Sequence, residues 1–436
     1  MFKDNYRWKM ISWLVVIVFI SFFDRMNFSV SAPLIMKELS IKTGLMGIIM
    51  SAFNAGYMLL NFSGGFLAEK YSSRKFMTII VLLWSLMTFM TGFGWSFISL
   101  LIIRFLFGIC EGPLTIINSK LVNRWVLPHE RGKASGLWLA AIPVSTMIGV
   151  VLSGMIVSSY GWRSVFYIFG IAGIILAILN WKILCDGPED CPSISEKELN
   201  KIRLSIRQEE LENAGTPSGS SLTQILKNPL VWLICAVYFS LMIYIWGNLN
   251  WLPTYFVKAR GTSVRASGFL TAFPLLGGAI GTIVIGWLSD RQFLLKTRSS
   301  WVILSMFIMA PATVFSILTP SLNICLACLT IAIFFSLGAN VMMYTYVMGA
   351  FKKADVAKVI GIMIGCGSMS GIVAPSLMGY ILQVTDSFNY AYYTFAAFIT
   401  VAGLLSIILY KKEIELKQGR PITLLRATDG LDDTSG

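Results

Sequence analysis

Four ionisable residues stand where the chain is otherwise apolar. Asp24 and Arg25 occupy the middle of FISFFDRMNFSVSAP, directly after the uncharged run ISWLVVIVFISFF; Arg104 and Glu111 bound the segment RFLFGICEG. Arg104 and Glu111 are seven residues apart, so on a helix they share a face about two turns, or roughly 10 Å, apart. Gly108 and Gly112 lie on that face and let another helix come close. A charge at the centre of a bilayer costs at least about 2.5 kcal/mol, so residues of this kind face a polar cavity and mark a pathway. Desolvation raises a carboxyl's proton affinity and a neighbouring arginine lowers it. An acid moved between those surroundings can bind a proton on one side of a membrane and release it on the other. Arginine keeps its charge and offers a planar fork of donors, which suits a carboxylate ligand. The competing reading is two ion pairs that only fix helix packing, and such pairs rarely improve on apolar packing.

The elements that must hold these residues are legible from composition. Of the 436 residues, 56% are hydrophobic and 13% charged, and mean hydropathy is +0.72; a soluble domain carries about a quarter charged residues. Twelve apolar runs are long enough to cross a bilayer as helices. They fall near 11–33, 44–66, 76–94, 98–120, 133–156, 163–184, 229–251, 267–288, 300–319, 323–349, 357–381 and 389–410. The first is too long for a signal peptide, lacks a small-residue cleavage pattern and contains Asp24-Arg25, so it is a span. The expectation is an all-α polytopic membrane protein with twelve transmembrane helices in two six-helix bundles. The bundles are residues 1–185 and 229–410, a cytoplasmic linker is 186–228 and a cytoplasmic tail is 411–436.

The net charge of +13 gathers in alternate loops, among them Lys70, Arg74 and Lys75, then Arg124, Arg131 and Lys133, then Lys352, Lys353 and Lys358. The intervening TGFGWSF and TPSLN carry no charge. This is the positive-inside pattern of a multi-pass protein of the cell's inner (plasma) membrane with both termini cytoplasmic, and it excludes nucleic acid as the partner. The seven cysteines form no disulfide framework: five lie in spans, and Cys185 and Cys191 face a reducing cytosol. Cys325-x-x-Cys328 sits on an apolar helix with no nearby histidine and reads as packing, not as a metal site. The single histidine, His129, lies in a loop, and there is neither a P-loop nor a nucleophile constellation, so an enzyme and an ATP-driven pump are both excluded.

The linker interrupts this rhythm. DGPEDCPSISEKELNKIRLSIRQEELENAGTPSGSS is charged and then rich in Gly and Ser. Ser195-x-x-Glu198 reads as a capping box opening a short amphipathic helix with Leu199, Ile202 and Ile206 on one face. AGTPSGSS reads as a flexible connection. The halves also echo each other: GGFLAEKYSSRK follows the second span and GWLSDRQFLLKTRS the eighth. Each has Gly, an acid four residues on, and then a base: Gly65, Glu69 and Lys70 in one, Gly286, Asp290 and Arg291 in the other. Such repeats build many secondary transporters, with the site near midplane between them. These loop residues are expected to hold neighbouring helix ends together on the cytoplasmic side.

Gly65 to Lys75 is similar to the loop signature G-x-x-x-D-R-x-G-R-R/K of the major facilitator superfamily, with Glu69 for Asp, Ser72 for Gly and Arg74 in the basic pair. FFDRMNFSVSAP, MGIIMSAFNAGYMLLNFSGGFLAEK, RFLFGICEG, RWVLPHERGKASG and SYGWRSVFYIFGIAG, taken in order, resemble its anion:cation symporter branch. NWLPTYF and GWLSDR continue the match. The resemblance implies alternating access, proton coupling through the acids at Asp24 and Glu111, and an Arg25 contact to a substrate carboxylate. Arg104 is then the expected partner of Glu111, setting its proton affinity.

Other polar residues complete the expected cavity. Tyr57 and Asn61 lie four apart on the second span; Tyr57 also matches a family tyrosine, and packing is its competing role. In the C-terminal half the candidates are Tyr244, Asn248, Asn340, Tyr344 and Ser368, with an interhelical hydrogen bond the alternative for Asn340. Ser368 stands where sugar-acid members of the branch tend to carry Asn, and AAIPVST lacks a polar residue near Ile142, which counts against a heavily hydroxylated ligand. The reading is a monomeric symporter that imports a small organic anion, a carboxylate such as a sugar acid. It works in lipid with protons and without a cofactor beyond the proton gradient. The alternatives are an organophosphate or organic-anion antiporter, which would draw arginines from both halves, a sodium-coupled carrier, and a nutrient sensor that does not transport.

Overall fold

A computed structural model describes residues 5–213, 220–291 and 295–418, except the side chains of 61–69, 210, 212–213 and 417. The chain is built of helices. The N-terminal half holds α1 (Tyr6–Glu38), α2 (Thr43–Lys70), α3 (Ser73–Thr91), α4 (Phe97–Glu111), α5 (Leu114–Trp125), α6 (Arg131–Tyr160) and α7 (Trp162–Ile183). Two short helices follow, α8 (Glu196–Asn213) and α9 (Leu222–Lys227). The C-terminal half holds α10 (Pro229–Arg260), α11 (Val264–Asp290), α12 (Arg298–Leu318), α13 (Leu322–Ala350), α14 (Lys353–Thr385) and α15 (Phe388–Lys417). Gly112-Pro113 divides the fourth span into α4 and α5, because proline supplies no N–H to carry the ladder through. Twelve candidate spans result among the described residues. Several run past their apolar cores, because a helix continues until its backbone groups find other partners. The seventh, expected over 229–251, reaches Arg260.

The two halves repeat one packing plan. α1 packs on α6, α2 on α4, and α3 on α7; correspondingly α10 packs on α14, α11 on α13, and α12 on α15. Across the seam α2 meets α14 and α6 meets α11, a pair of contacts that the repeat also exchanges. Even helix caps are repeated. Asp186, just after α7, accepts from Arg74 N (2.8 Å) and Ser72 Oγ (2.7 Å) at the start of α3. Glu413, near the end of α15, accepts from Arg298 N (3.0 Å) and Ser299 N (2.9 Å) at the start of α12. A carboxylate on the orphan N–H groups of a helix start is stabilising.

Among the described residues, the hydrogen bonds that cross the seam between the halves all lie at the end away from the termini. At the end away from the termini, Ser29 Oγ donates to the carbonyls of Leu249 (2.9 Å) and Asn250 (2.7 Å), and Ser376 Oγ donates to Ser51 Oγ (2.7 Å). A Cβ on Gly268 would lie 2.6 Å from Val150 O, and one on Gly379 2.6 Å from Thr43 O, so only glycine allows these backbones to meet.

The linker does not float. Glu198 is buried and accepts from Tyr6 N (2.8 Å), Arg7 N (3.3 Å) and Arg7 Nη1 (2.7 Å), while Arg7 also reaches Glu130 (2.9 Å). Its own N–H bonds Ser195 Oγ at 3.2 Å, but its carboxylate serves the start of α1. The flexible stretch expected over AGTPSGSS is corrected at its last two residues: Ser220 N donates to Asp355 (2.7 Å), and Ser221 and Gln224 form a capping box that opens α9. Residues 214–219 of that stretch lie outside the described ones. Burial beside Cys191 pushes the Cys185 thiol up to about 12, so it stays protonated at neutral pH.

Candidate functional site: a buried charge cluster

α1 and α4 run antiparallel and bring the four ionisable residues together. Glu111 is 0% exposed, Asp24 2%, Arg104 5% and Arg25 8%, so all four are withdrawn from solvent. Arg25 Nε donates to Glu111 Oε1 at 3.0 Å, and Ser21 Oγ donates to the same oxygen. This corrects the expected Arg104–Glu111 pair: Arg104 makes no hydrogen bond or ion pair among the described residues, and its buried Nε has no partner. Arg104 is held by ring faces instead, 4.6 Å from Phe28, 5.0 Å from Phe53 and 5.1 Å from Phe107. Arg25 stacks over Phe22 (4.2 Å), Tyr57 (4.8 Å) and Phe53, the ring it shares with Arg104 (5.1 Å). Desolvated guanidinium–ring contacts are worth up to about 2 kcal/mol each. Gly108 makes this possible, since a Cβ there would collide with the backbone of Phe53.

Asp24 has a separate set of neighbours. Asn27 Nδ2 donates to its Oδ1 at 3.4 Å, and Asn27 in turn accepts from Ser153 at 2.8 Å. Among the described residues, Asp24 Oδ2 and Glu111 Oε2 have no hydrogen-bond partner. One pair is therefore closed, Arg25 with Glu111, and one acid and one base are open.

The C-terminal half contributes hydroxyls and an amide. The hydroxyls of Tyr238 and Tyr344 are 3.2 Å apart, and half-buried Asn340 has an unpartnered Oδ1. Ser368 bonds back to Ile364 O at 2.9 Å. The candidate Tyr244 is corrected: it is wholly buried inside its half, its ring 6.2 Å from Phe395. Asn248 likewise serves packing, donating to Tyr244 O (2.9 Å) and accepting from Tyr392 (3.3 Å). Both point away from the seam because α10 also packs on α15. The side chains of Asn61 and Glu69, and the surroundings of Gly65, lie outside the described residues. Among the loop residues, Arg74 Nε holds Trp181 O at 2.7 Å, and Lys70 rests over Tyr71. Asp290 pairs not with Arg291 but with Arg298 (2.9 Å), while Arg291 stacks on Trp287 one turn back and Gly286 meets no neighbour. Sequence reading missed Ser21, Phe53 and Tyr238; the seven-residue run from Phe22 to Phe28 flags a charged pair among rings, but nothing marks Phe53 as the ring both arginines share.

A two-fold-repeated bundle of twelve candidate spans with a buried charge cluster in one half fits a membrane carrier. The model of the Major Facilitator Superfamily matches residues 14–302 and 261–423, and the chain belongs to that family. It is similar to a hexuronate transporter of Bacillus subtilis (strain 168), 28% identical over 404 residues, which cover 91% of this chain and 92% of that one. It is also similar to a "probable galactarate/D-glucarate transporter" of Escherichia coli (strain K12), 27% identical, covering 91% and 92% of the two chains. A "probable sulfoacetate transporter" of Cupriavidus necator is 28% identical with the same coverage. Among solved structures, a bacterial homologue of the human lysosomal transporter Spinster, inward-facing and unoccupied, superposes with a TM-score of 0.76 at 19% identity, covering 94% of this chain and 98% of that one.

Proposed function

We propose that the protein is a proton-coupled symporter that imports a small organic anion, a carboxylate such as a sugar acid, by alternating access. The observation that carries this is the state of the cluster: two acids and two arginines, all buried, with Arg104 unpaired. The four formal charges sum to zero. An anion bound alone would leave one uncompensated buried charge, which costs several kcal/mol. An anion bound with one proton restores neutrality, so the site favours loading both.

The order follows from the contacts. The open fork of Arg104 takes the carboxylate first. Protonation of Glu111 then frees Arg25 to join it, which keeps the carboxylate contact expected for Arg25 and assigns its timing to Glu111. Tyr57, Tyr238, Asn340 and Tyr344 supply hydroxyls and an amide for the rest of the ligand. The three relatives, named for hexuronate, galactarate or glucarate, and sulfoacetate, support an organic anion. The seam's hydrogen bonds, gathered at the end away from the termini, support an inward-facing state with the termini cytoplasmic, as the positive-inside charge pattern argues. An organophosphate reading gains nothing, since the C-terminal half buries no arginine among its described residues.

The experiment is uptake of labelled D-glucarate and D-glucuronate into proteoliposomes under imposed gradients. Uptake should rise when the outside is acidic and ignore sodium; uptake that follows sodium and is indifferent to pH would sink the proton reading.

A further inference from the structure

α4 and α5 carry a row of polar residues at seven-residue intervals: Arg104, Glu111, Asn118 and Trp125. All are buried, Glu111 and Asn118 completely. Each has at least one polar atom without a hydrogen-bond partner among the described residues: Arg104 Nε, Glu111 Oε2, both Nδ2 and Oδ1 of Asn118, and Trp125 Nε1. The lower part of the row faces α1. Glu111 meets Ser21 and Arg25, and the Trp125 ring lies 6.1 Å from that of Tyr6. Asn118 is two turns from Trp125 on one helix and points the same way.

An amide buried among Leu114, Ile117, Leu121 and Val122 with neither atom partnered is costly. The same half shows how a purely structural asparagine is treated. Asn180, also 0% exposed, accepts from Trp13 Nε1 at 2.8 Å and donates to Thr78 Oγ1 at 2.8 Å. Asn118 has no such partner among the described residues and retains both a donor and an acceptor. A water bound there would meet both its donor and its acceptor.

The row also bears on how Glu111 exchanges its proton. Glu111 is wholly covered, with Arg25 and Ser21 both bonded to its Oε1. The groups around it are Asp24 and Arg25 from α1 and Arg104 from its own helix. The anion's cavity therefore does not give the proton its exit in this state.

We propose that Asn118 is the positioning residue of a hydrated proton route inside the N-terminal half. It runs between α1 and α5 from Glu111 to the bundle end that carries the termini, apart from the path of the anion. The ligand of the site is water. The Glu111 carboxyl passes its proton to a water, becoming a carboxylate that Arg25 pairs with. The proton moves along waters that Asn118 orients through Oδ1 and Nδ2, and leaves near Tyr6 and Trp125. The use of this proton rests on the symport reading above; the water site does not.

Radiolytic hydroxyl-radical labelling of the purified full-length protein, read by mass spectrometry, tests the site without any substrate. Leu121 and Trp125 should be labelled in the wild type, lose about fivefold or more in Asn118→Leu, and recover in Asn118→Ser, which leaves room and a hydroxyl for water. No labelling in the wild type, or equal labelling in Asn118→Leu, overturns the route. With D-glucarate as the transport probe, Asn118→Leu should cut proton-driven accumulation about tenfold while exchange of labelled for unlabelled probe persists. Wild-type accumulation by Asn118→Leu overturns the relay role. A wild type with no pH-driven uptake removes the symport reading, and the labelling still decides the water route.

Discussion

The two halves share a packing plan and differ in chemistry. On the first and fourth spans of the N-terminal half stand Asp24, Arg25, Arg104 and Glu111; the matching spans of the C-terminal half, α10 and α13, carry Tyr238, Asn340 and Tyr344. One copy of the repeat holds the charges and the other the neutral hydrogen-bonding groups. Burying charge is tolerable only where opposite charges are gathered, so concentrating all four in one half lets them compensate one another. The neutral half can then adapt to the ligand's shape without touching the proton chemistry. Recognition and coupling can thus be altered separately, and mutations should separate them.

The largest effect is expected at Glu111. Glu111→Gln keeps the side-chain shape and loses the titrating proton, so accumulation against a gradient should vanish while exchange of labelled for unlabelled substrate continues. Accumulation at wild-type level in that variant would break the division of labour outright. Arg104→Ala removes the unpaired guanidinium from the charged half. A charge-assisted contact is worth about 1.5–3 kcal/mol, so affinity measured by isothermal titration should fall roughly 10- to 150-fold. Unchanged binding would place the carboxylate elsewhere.

Arg25→Lys should act less strongly, because the charge remains while the fork and its ring stacking are lost. About a tenfold loss of affinity is expected, with the protein still reaching the membrane. Affinity equal to wild type would leave Arg25 to Glu111 alone.

The C-terminal half supplies the smallest effect and the finest contrast. Tyr344→Phe deletes a hydroxyl that faces Tyr238 and should weaken binding by a factor of about 2–10. Tyr244→Phe deletes a hydroxyl packed inside the half and should leave binding within about twofold. A larger loss in Tyr244→Phe than in Tyr344→Phe, measured in the same titration, would reverse the placement of the two tyrosines.

Much of this was legible in the sequence. Twelve apolar runs can only be spans, since hydrocarbon leaves backbone groups no partner outside a helix. The cost of an intramembrane charge singled out Asp24, Arg25, Arg104 and Glu111 before any geometry was known. The echo of Gly65–Lys70 in Gly286–Arg291 announced the repeat. Polar residues that cost little were less legible. Tyr244 and Tyr344 look alike on apolar helices, and only the neighbours of α10, which packs on α14 and on α15, decide that Tyr244 turns inward. Glu198 reads as part of its own helix's capping box, and its N–H does bond Ser195, but its carboxylate also caps α1, a partner 191 positions away at Arg7 that no local pattern encodes.

What the sequence determined by itself is which residues are charged within the membrane and how many times the chain crosses it, because both follow from solvation of side chain and backbone. What the tertiary structure alone decided is who pairs with whom. Arg104 and Glu111 share a helix face, but two turns hold them roughly 10 Å apart, beyond direct contact for side chains standing parallel. Arg25 is 86 positions from Glu111 in the chain, yet the packing of the bundle brings its guanidinium to 3.0 Å. Spacing along a helix fixes direction, and only the rotation and approach of neighbouring helices fix distance.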